Sequence, residues 1–329
     1  MNILVTGATG FIGSHLVKAL LQEGHYCRCL VRATSQVDEL ESLGLELFYG
    51  DVTKPDSLQD IAKGIDIVYH LAAMGHVSAI SEEAYQQFRE INVQGTENLA
   101  KECIKNSIHK FIHFSSTAAM GLIKKAVVDE GTPCRPSTPY QRSKFDSEQV
   151  VLSYWKEHNL PGIILRPCMV YGPGGSGEFL KWCRLIKKGI FPRIGKGRNL
   201  TPLVHVEDVV QAAILARERG IPGETYLIAS NGSFKLDLIR NLIVEKLEIK
   251  RINTYIPTCM AKIGARGIEL LAKTFNFTPI VTYKNIDSTV TDRVFSINKV
   301  RDQLGYFATV DIDRGIGETI QWYRDNGYL

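Results

Sequence analysis

Short apolar runs alternate with amphipathic segments along the first half of the chain, and this alternation limits the fold more than any other feature. Strands are predicted at residues 2–6, 26–31, 45–49, 65–71, 111–115 and 162–166. Helices are predicted between them, at residues 14–23, 37–43, 82–106 and 140–159. Parallel strands need crossover connections of this kind, so the order predicts an α/β protein with a parallel sheet covered on both faces.

After residue 166 the alternation becomes irregular, with a glycine-rich loop, a basic helix and short mixed elements. The chain has 329 residues, which is enough for two closely joined domains. We expect a doubly wound parallel sheet at residues 1–165 and about 200–225. A smaller mixed substrate-binding lobe is expected at residues 166–199 and 226–329, with a cleft between the two.

Composition and charge exclude several classes of protein. The apolar fraction of 44% and the charged fraction of 22% are those of an ordinary globular protein, and a net charge of +4 is too small to indicate a nucleic-acid partner. No apolar run approaches the roughly 18 residues of a membrane span, and no secretory signal precedes the first strand. Seven cysteines without a CxxC pair and eight histidines without metal-ligand spacing suggest reduced thiols and no metal. We therefore expect a cytoplasmic protein.

Three glycines separate the first predicted strand from the first helix. Gly7 permits a tight turn, Gly10 allows a pyrophosphate to approach the backbone, and Gly13 allows the helix to pack closely on the sheet. The free N–H groups at the helix start would meet the phosphate charge. The loop therefore predicts dinucleotide binding, against the alternative of a purely structural turn. The sheet at residues 1–165 and about 200–225 is thus expected to be a Rossmann-type dinucleotide-binding domain.

The spacing of this loop is Gly-x-x-Gly-x-x-Gly, and further motifs follow it in order along nearly the whole chain. They lie at residues 50–52, 70–73, 92–96, 114–121, 139–144, 165–174, 204–209 and 295–306. Together they resemble the extended short-chain dehydrogenase/reductase family, the branch of NAD-dependent epimerases and dehydratases. Within this family the chain is more similar to the hydroxysteroid-dehydrogenase-like and dihydroflavonol-reductase-like members. Two features indicate this: Ser116-Thr117-Ala118 contains no acidic residue, and the tail around residues 290–293 resembles theirs.

The resemblance implies a catalytic site of Ser116, Tyr140 and Lys144. The tyrosine and lysine lie four residues apart at the start of a predicted helix, and the serine lies at the end of the preceding strand. A free phenol has a pKa of about 10, so we expect the Lys144 ammonium to lower the pKa of Tyr140. Ser116 would donate a hydrogen bond to the substrate oxygen. The alternative is an exposed helix pair with a capping serine.

The resemblance also implies a cofactor site built from the glycine loop and the ends of several strands. Its expected residues are Gly7, Thr9, Gly10, Phe11, Ile12, Gly13, Arg32, Asp51, Val52, Leu71, Ala72, Ala73, Asn92, Tyr140, Lys144, Pro167 and Val170. NAD-preferring members carry a carboxylate at the end of the second strand, where this chain has Val31 followed by Arg32. An arginine fork suits a 2′-phosphate, so NADP(H) is favoured and NAD(H) remains possible. Arg32 stacked on adenine or directed to solvent is the alternative.

The substrate stays open between two classes. Many nucleotide-sugar epimerases of the family carry an asparagine shortly after the arginine that matches Arg166, and often an arginine shortly before the element that matches residues 204–209, where this chain reads Leu200-Thr201-Pro202-Leu203. This chain has neither, which favours a reductase or dehydrogenase acting on a ketone or secondary alcohol. Basic residues of the lobe would suit a diphosphate or form a solvated surface; they are Lys181, Arg184, Lys187, Lys188, Arg193, Lys196 and Arg198. A nucleotide-sugar epimerase with recycled NAD and a non-catalytic NAD(P)-sensing regulator remain alternatives. The family implies a homodimer.

Overall fold

The computed structural model describes residues 1–75, 82–123, 125, 127–195, 197–250, 255–275 and 281–329, without the side chains of residues 82, 284, 285 and 288. Lys196 of the predicted basic group lies outside these residues. The described strands are β1 (Asn2–Thr6), β2 (Tyr26–Val31), β3 (Glu46–Tyr49), β4 (Ile67–His70), β5 (Lys110–Phe114), β6 (Gly162–Pro167), β7 (Met169–Tyr171), β8 (Arg193–Ile194), β9 (Leu200–Thr201), β10 (Leu203–His205), β11 (Thr225–Ile228), β12 (Phe234–Lys235) and β13 (Tyr255–Ile256).

The described α-helices follow the expected alternation in the first half of the chain. They are α1 (Phe11–Gln22), α2 (Asp38–Ser42), α3 (Glu82–Phe88), α4 (Gly95–Lys105), α5 (Pro139–His158), α6 (Glu178–Lys187), α7 (Val206–Arg219), α8 (Leu236–Lys246), α9 (Thr258–Phe275), α10 (Tyr283–Val290), α11 (Asn298–Leu304) and α12 (Ile312–Asp325). Two 3₁₀ turns lie at Pro55–Leu58 and Thr117–Met120. The single helix expected at residues 82–106 is divided into α3 and α4 by a π-helical segment, Arg89–Gln94.

A parallel sheet of seven strands forms the centre of the molecule, in the order β11-β6-β5-β4-β1-β2-β3. The order reverses between β1 and β4, where open parallel sheets bind ligands at the carboxyl ends of their strands. This confirms the predicted Rossmann-type α/β fold.

Alternate residues of the strands enter two separate hydrophobic cores. Ile3 and Val5 of β1 pack with Leu16 of α1 on one face of the sheet. Leu4, between them, packs with Leu99 of α4 and Val151 of α5 on the other face. Because successive strand side chains point to opposite faces, a strand that is apolar throughout must be covered on both sides.

The C-terminal lobe has its own core, in which Phe179 of α6, Ile239 of α8 and Ile316 of α12 are buried together. The division into two domains stays a prediction, and its boundary near residue 225 meets β11. The sequence analysis placed most of this strand in the lobe. It pairs instead with β6 in the central sheet, where burial of Tyr226, Leu227 and Ile228 stabilises it. None of the described helices is both long and apolar enough to cross a membrane.

Candidate active site

The predicted site residues gather at the carboxyl edge of the central sheet, although they come from eight separate segments. The glycine loop follows β1, and Ser116 follows β5 at the start of a 3₁₀ turn. The others are Arg32 after β2, Asp51 and Val52 after β3, Leu71, Ala72 and Ala73 after β4, Asn92 in the π-helical segment, Tyr140 and Lys144 in α5, Pro167 in β6 and Val170 in β7. Ligand sites of open parallel sheets form at this edge.

The glycine loop is closed so tightly that two of its positions exclude a side chain. Gly7 has a φ of +74°, and a Cβ there would lie 2.8 Å from the backbone nitrogen of Ala72. A Cβ on Gly13 would lie 2.1 Å from the carbonyl oxygen of Gly7. Gly10 caps α1 without a side-chain hydrogen bond, and the first turn holds no acidic residue. Uncapped N–H groups at a helix start without a competing carboxylate fit the phosphates of a dinucleotide.

The loop after β7 packs against the start of α1. A Cβ on Gly175 would lie 3.0 Å from the Phe11 ring, and the His15 Nε2 atom forms a hydrogen bond of 2.8 Å with the carbonyl of Pro173. Phe11 itself lies edge-on to His15. The glycine loop is therefore held against the segment that leads into the lobe.

Tyr140 and Ser116 form the centre of the site. The Ser116 hydroxyl lies beside the Tyr140 phenol, whose ring lies 5.7 Å from the Phe88 ring. Burial raises the pKa of Tyr140 above its ordinary value, and the hydrogen bond with Ser116 opposes this rise. Ser116 Oγ also accepts a hydrogen bond of 3.1 Å from the backbone nitrogen of Ala118. The phenol is therefore protonated at neutral pH and held beside a hydroxyl group.

A capping box sets the position of Tyr140 in the first turn of α5. The Thr138 side chain accepts a hydrogen bond from the backbone of Gln141, and the Gln141 side chain accepts one from the backbone of Thr138. Pro139 occupies the first helical position, where its missing N–H group has no cost. The helix thus starts one residue before the tyrosine, and Lys144 follows on the same face one turn later.

Lys144 is buried, with 3% of its surface exposed, and its Nζ donates a hydrogen bond of 2.6 Å to the carbonyl of Phe114. Burial lowers the pKa of Lys144 to about 8, although the charge of Glu148 opposes this shift. The expectation that Lys144 lowers the pKa of Tyr140 is not met here. The opposing contribution at the phenol comes from Ser116, because the ammonium is directed to the end of β5.

A buried ion pair beneath the site was missed by the sequence analysis. Glu148 receives two hydrogen bonds from Arg166, of 2.8 and 2.6 Å, and a third from Ser115, which precedes Ser116. Glu148 is fully buried and Arg166 is 6% exposed. The sequence holds a signal for it, since an acid four residues after Lys144 must lie on the same helix face and requires a buried partner.

Two buried histidines lie beside Lys144 on neighbouring strands. His70 is held between the hydroxyls of Thr6 and Thr96, at 2.8 and 2.9 Å. Burial, with the Lys144 charge as a further contribution, lowers the pKa of His70 to about 3 and holds the pKa of His113 well below its ordinary value. Both imidazoles are therefore neutral, which leaves Tyr140 and Lys144 as the groups that can carry a proton at this edge.

Asn92 connects three parts of the site. Its Oδ1 accepts a hydrogen bond of 2.7 Å from the backbone of Met74, and its Nδ2 donates one of 3.0 Å to Ser143, the neighbour of Lys144. Asn92 is buried within the π-helical segment. The sequence analysis assigned it to the cofactor by resemblance; the structure shows a residue that positions α5 against the loop after β4.

Arg32 and Asp51 border the far end of the cofactor edge. Arg32 is exposed, and among the described residues its guanidinium forms no hydrogen bond or ion pair. Burial alone would raise the pKa of Asp51, but hydrogen bonds from Thr53 and the charges of Arg32 and Lys54 lower it. Val52 is buried against Gly95 of α4, where a Cβ would come within 2.7 Å of it. This corner thus holds a carboxylate and, near it, a guanidinium that pairs with none of the described residues.

The remaining sequence expectations concern metals and thiols. Among the described residues, no group of three or more histidine, cysteine or acidic side chains could hold a metal ion. All seven cysteines are free thiols, five of them buried. The expected absence of a metal, the homodimer and the cytoplasmic location stay predictions.

Comparisons with curated proteins give two similar enzymes of full length. Sterol demethylase protein B of Methylococcus capsulatus is 28% identical over 338 residues, covering 100% of both chains. A 4-hydroxy-2-methyl-3-oxo-4-farnesyl-3,4-dihydroquinoline-1-oxide ketoreductase of Stigmatella aurantiaca is also 28% identical, covering 96% of this chain and 95% of its own.

Two solved structures are similar to this chain over almost its whole length. The crystal structure of the protein designated gox2253 superposes with a TM-score of 0.85 and 30% identity, covering 99% of both chains. A dTDP-glucose 4,6-dehydratase from Streptomyces venezuelae, with NAD and TYD bound, has a TM-score of 0.79 and 25% identity, covering 99% of this chain and 98% of its own. A sequence model of one family matches residues 3–229. The chain belongs to the NAD dependent epimerase/dehydratase family.

Proposed function

We propose that the protein is an NAD(P)-dependent reductase that converts a ketone to a secondary alcohol, with Ser116, Tyr140 and Lys144 as its catalytic residues. The observation that carries the proposal is the juxtaposition of the Tyr140 phenol and the Ser116 hydroxyl at the carboxyl edge of the sheet. It joins a proton donor to a second hydroxyl group, and a ketone oxygen bound beside both would meet two donors. Such a pair stabilises the charge that develops on oxygen as the carbonyl is reduced.

The protonation state of Tyr140 supports the reductive direction. Burial raises its pKa, so the phenol carries its proton at neutral pH and can give it to the carbonyl oxygen. A bound reduced nicotinamide supplies the hydride for the carbonyl carbon. Lys144, whose pKa is lowered to about 8, can return a proton to the phenolate that remains. In the opposite direction, Tyr140 would first have to lose its proton.

NADP(H) is the cofactor that we favour. Val31 is buried at the end of β2, and the exposed Arg32 follows it with its guanidinium free to meet a 2′-phosphate. The glycine loop and the start of α1 would hold the pyrophosphate, and Asp51 would contact the adenine. Since a related dehydratase structure contains NAD, NAD(H) is the cofactor to compare directly.

The substrate class that we favour is a ketone without a nucleotide diphosphate. Cys168 and Met169 stand where an asparagine of the sugar enzymes would hold the diphosphate, and Thr201 is buried within β9 where they carry an arginine. The similar farnesyl-dihydroquinoline ketoreductase is named for a carbonyl reduction on an apolar molecule. A nucleotide-sugar epimerase remains the second candidate, since the basic residues of the lobe, including Arg198, could meet a diphosphate.

The test incubates the purified protein with NADPH or NADH and a panel of ketones that includes hydrophobic ketones and nucleotide 4-ketosugars. We expect loss of reduced-nicotinamide absorbance that matches the amount of alcohol formed, with hydrophobic ketones preferred over ketosugars. Interconversion of two sugar epimers without net use of nucleotide would establish the epimerase instead. Cofactor binding with no turnover of any ketone or sugar would favour the non-catalytic regulator.

A further inference from the structure

Helix α9 has the opposite polarity from an ordinary surface helix. The two residues that it buries fully, Ala265 and Ala272, are small, and Ala261, Lys262 and Glu269 are half-buried. Its large apolar side chains are exposed instead, with exposed fractions of 62% for Met260, 71% for Ile263, 37% for Ile268, 68% for Leu270, 52% for Leu271 and 71% for Phe275. An apolar stripe this long on a solvent-facing helix indicates a partner.

The stripe is continuous and uncharged. At 100° per residue its six large side chains, with Gly264, Gly267 and Thr274, occupy an arc of roughly 160°. A Cβ added at Gly264 or Gly267 would meet no atom within 4 Å, so the surface between the large residues is open as well. The helix has 18 residues, hence a length of roughly 27 Å. Thr274 is the single polar side chain on this arc.

Cations border the stripe on one side. Arg266 and Lys273 are exposed beside the apolar arc, and Arg266 also packs over the Tyr283 ring of α10 at 4.6 Å. Lys262 is neutralised by Asp287 at 2.7 Å, which ties α9 to α10. A stable helical pair thus presents apolar side chains outward with positive charges at their edge.

The positive surface continues at the N-terminal end of α9. Strand β13 leads into the helix and pairs with β8, and an open cavity of about 390 Å³ there is lined by Arg193, Gly195, Arg198 and Tyr255. Arg198 is exposed and has no ion pair among the described residues, whereas Arg193 pairs with Asp237. Ile190 is 60% exposed three residues before β8 and adds an apolar group to this end.

We infer that α9 is an interfacial helix that lies in the surface of an anionic lipid bilayer, with its apolar stripe among the acyl chains and Arg266 and Lys273 among the headgroups. A wide apolar arc with cations at its border is the pattern of helices that bind in the plane of a bilayer. The length and polarity of α9 suit this position and not a membrane span.

A second copy of the chain fits the same surface less well. Protein interfaces form about one hydrogen bond per 100–200 Å², whereas this stripe offers a single hydroxyl group. An antiparallel two-fold contact of α9 would also bring the Arg266 and Lys273 edge of one copy towards that of the other. Lipid supplies what the surface lacks, since acyl chains require no hydrogen bonds and phosphate headgroups accept from cations.

The test measures binding of the full-length protein to phosphatidylcholine vesicles with and without phosphatidylglycerol, by cosedimentation. An environment-sensitive dye on Cys259, the exposed cysteine on α9, reports insertion by a blue shift. The double variant Ile263→Ser/Leu270→Ser should weaken partitioning by roughly tenfold or more, since each side chain loses its transfer from water. The double variant Leu238→Ser/Phe307→Ser is the control, because these residues are exposed elsewhere, at 44% and 57%.

Removal of the cations separates lipid charge from apolar insertion. Arg266→Gln and Lys273→Gln should each weaken binding to phosphatidylglycerol vesicles roughly fivefold, and leave the weaker binding to phosphatidylcholine unchanged. Wild-type protein that ignores both vesicles would overturn the inference. So would stripe variants that only convert a dimer to a monomer, or that only raise the KM for a ketone. Unchanged turnover and melting temperature of the variants confirm that they are folded.

Discussion

Helices α5 and α9 depart from the usual distribution of polarity in opposite ways. Helix α5 brings Lys144 and Glu148 into the interior, where each is fully or almost fully buried. Helix α9 carries its largest apolar side chains on the outside, with Ile263 and Phe275 both 71% exposed. Both arrangements cost stability, since buried charge loses hydration and exposed apolar surface orders water.

The two regions differ in whether other residues of the chain offset this loss of stability. Every buried polar group named on α5 has a partner: Lys144 has the Phe114 carbonyl, Glu148 has Arg166, and Ser143 has Asn92. The stripe of α9 has no such covering among the described residues. The fold itself therefore completes the polar groups of α5, whereas a surface left open indicates that its partner comes from outside.

The largest expected effect tests whether α5 is catalytic or only structural. Tyr140→Phe removes the proton donor but keeps the ring against Phe88, so turnover should fall by roughly two to four orders of magnitude. Cofactor affinity and melting temperature should stay close to those of the wild type. Steady-state kinetics with the best ketone of the panel gives the measurement.

Tyr154→Phe provides the matched control, because this residue lies on the same helix and its hydroxyl donates to Glu97 on the surface. Its turnover should remain within about twofold of the wild type. Equal turnover of the two variants would remove Tyr140 from the mechanism and leave α5 as a structural helix.

The second prediction breaks the buried ion pair. Glu148→Gln leaves the Arg166 guanidinium buried without its anion, so we expect a loss of about 3–5 kcal/mol in the free energy of unfolding. Replacement of both residues, Glu148→Leu with Arg166→Met, should recover most of this loss because no charge stays unpaired. Denaturant unfolding measures both variants.

Glu178→Gln is the control for this pair. Its partner Lys181 lies 2.7 Å away on the surface of α6, so the loss should stay below about 1 kcal/mol. If Glu148→Gln lowered the free energy of unfolding by as little, water or another anion would have to reach the Arg166 guanidinium.

Local patterns in the sequence predicted the central sheet, the glycine loop and the pair Tyr140 and Lys144. Each depends on a short spacing: alternation for the strands, three residues for the glycines, four for the helical pair. What the sequence analysis missed depends on contacts between distant residues. Glu148 meets Arg166 only because β6 lies beneath α5, and Asn92 meets Ser143 only because a π-helical turn redirects the chain.

The spacing of apolar residues in α9 predicts an apolar helix face, but it does not show whether that face is buried or exposed. Its apolar residues recur at helical intervals, and such a pattern ordinarily predicts a face that packs on the core. Only the structure shows that Ala265 and Ala272 fill that role, and that Met260 and Leu270 face outward. The sequence pattern therefore predicts the apolar stripe, and tertiary packing determines whether the stripe faces the core or the solvent.

The third prediction concerns Arg32, an exposed cation beside the sheet. It tests whether this residue binds a ligand, as we infer for the exposed stripe of α9. Arg32→Ala should weaken NADPH binding by about 1.5–3 kcal/mol, the range for a hydrogen bond with a charged group, and leave NADH binding nearly unchanged. Isothermal titration with both cofactors measures the difference. Equal losses would place Arg32 at the adenosine that the two cofactors share, and the NADP(H) preference would be withdrawn.

The smallest effect at neutral pH measures the cost of burying Lys144. Its pKa is lowered from 10.5 to about 8, and this shift corresponds to a loss of about 3 kcal/mol in stability. Replacement of Lys144 would recover this loss, but it would also remove the hydrogen bond to the Phe114 carbonyl, which offsets part of the recovery. We therefore expect Lys144→Met to abolish turnover and yet to be more stable than the wild type by about 1 kcal/mol at pH 7. A catalytic lysine would thus reduce the stability of the fold that holds it.

The pH dependence identifies the cause of that difference. Between pH 8 and 10.5 the unfolded chain binds the Lys144 proton and the folded protein does not, so the wild type gains stability relative to Lys144→Met as pH rises. The gain should reach about 2–3 kcal/mol by pH 10, which reverses the order of stability of the two proteins. Urea unfolding of both at pH 7, 8, 9 and 10 gives the curve. A difference that stays constant over this range would mean that Lys144 titrates normally, and that the interior at α5 is as accessible to water as the surface of α9.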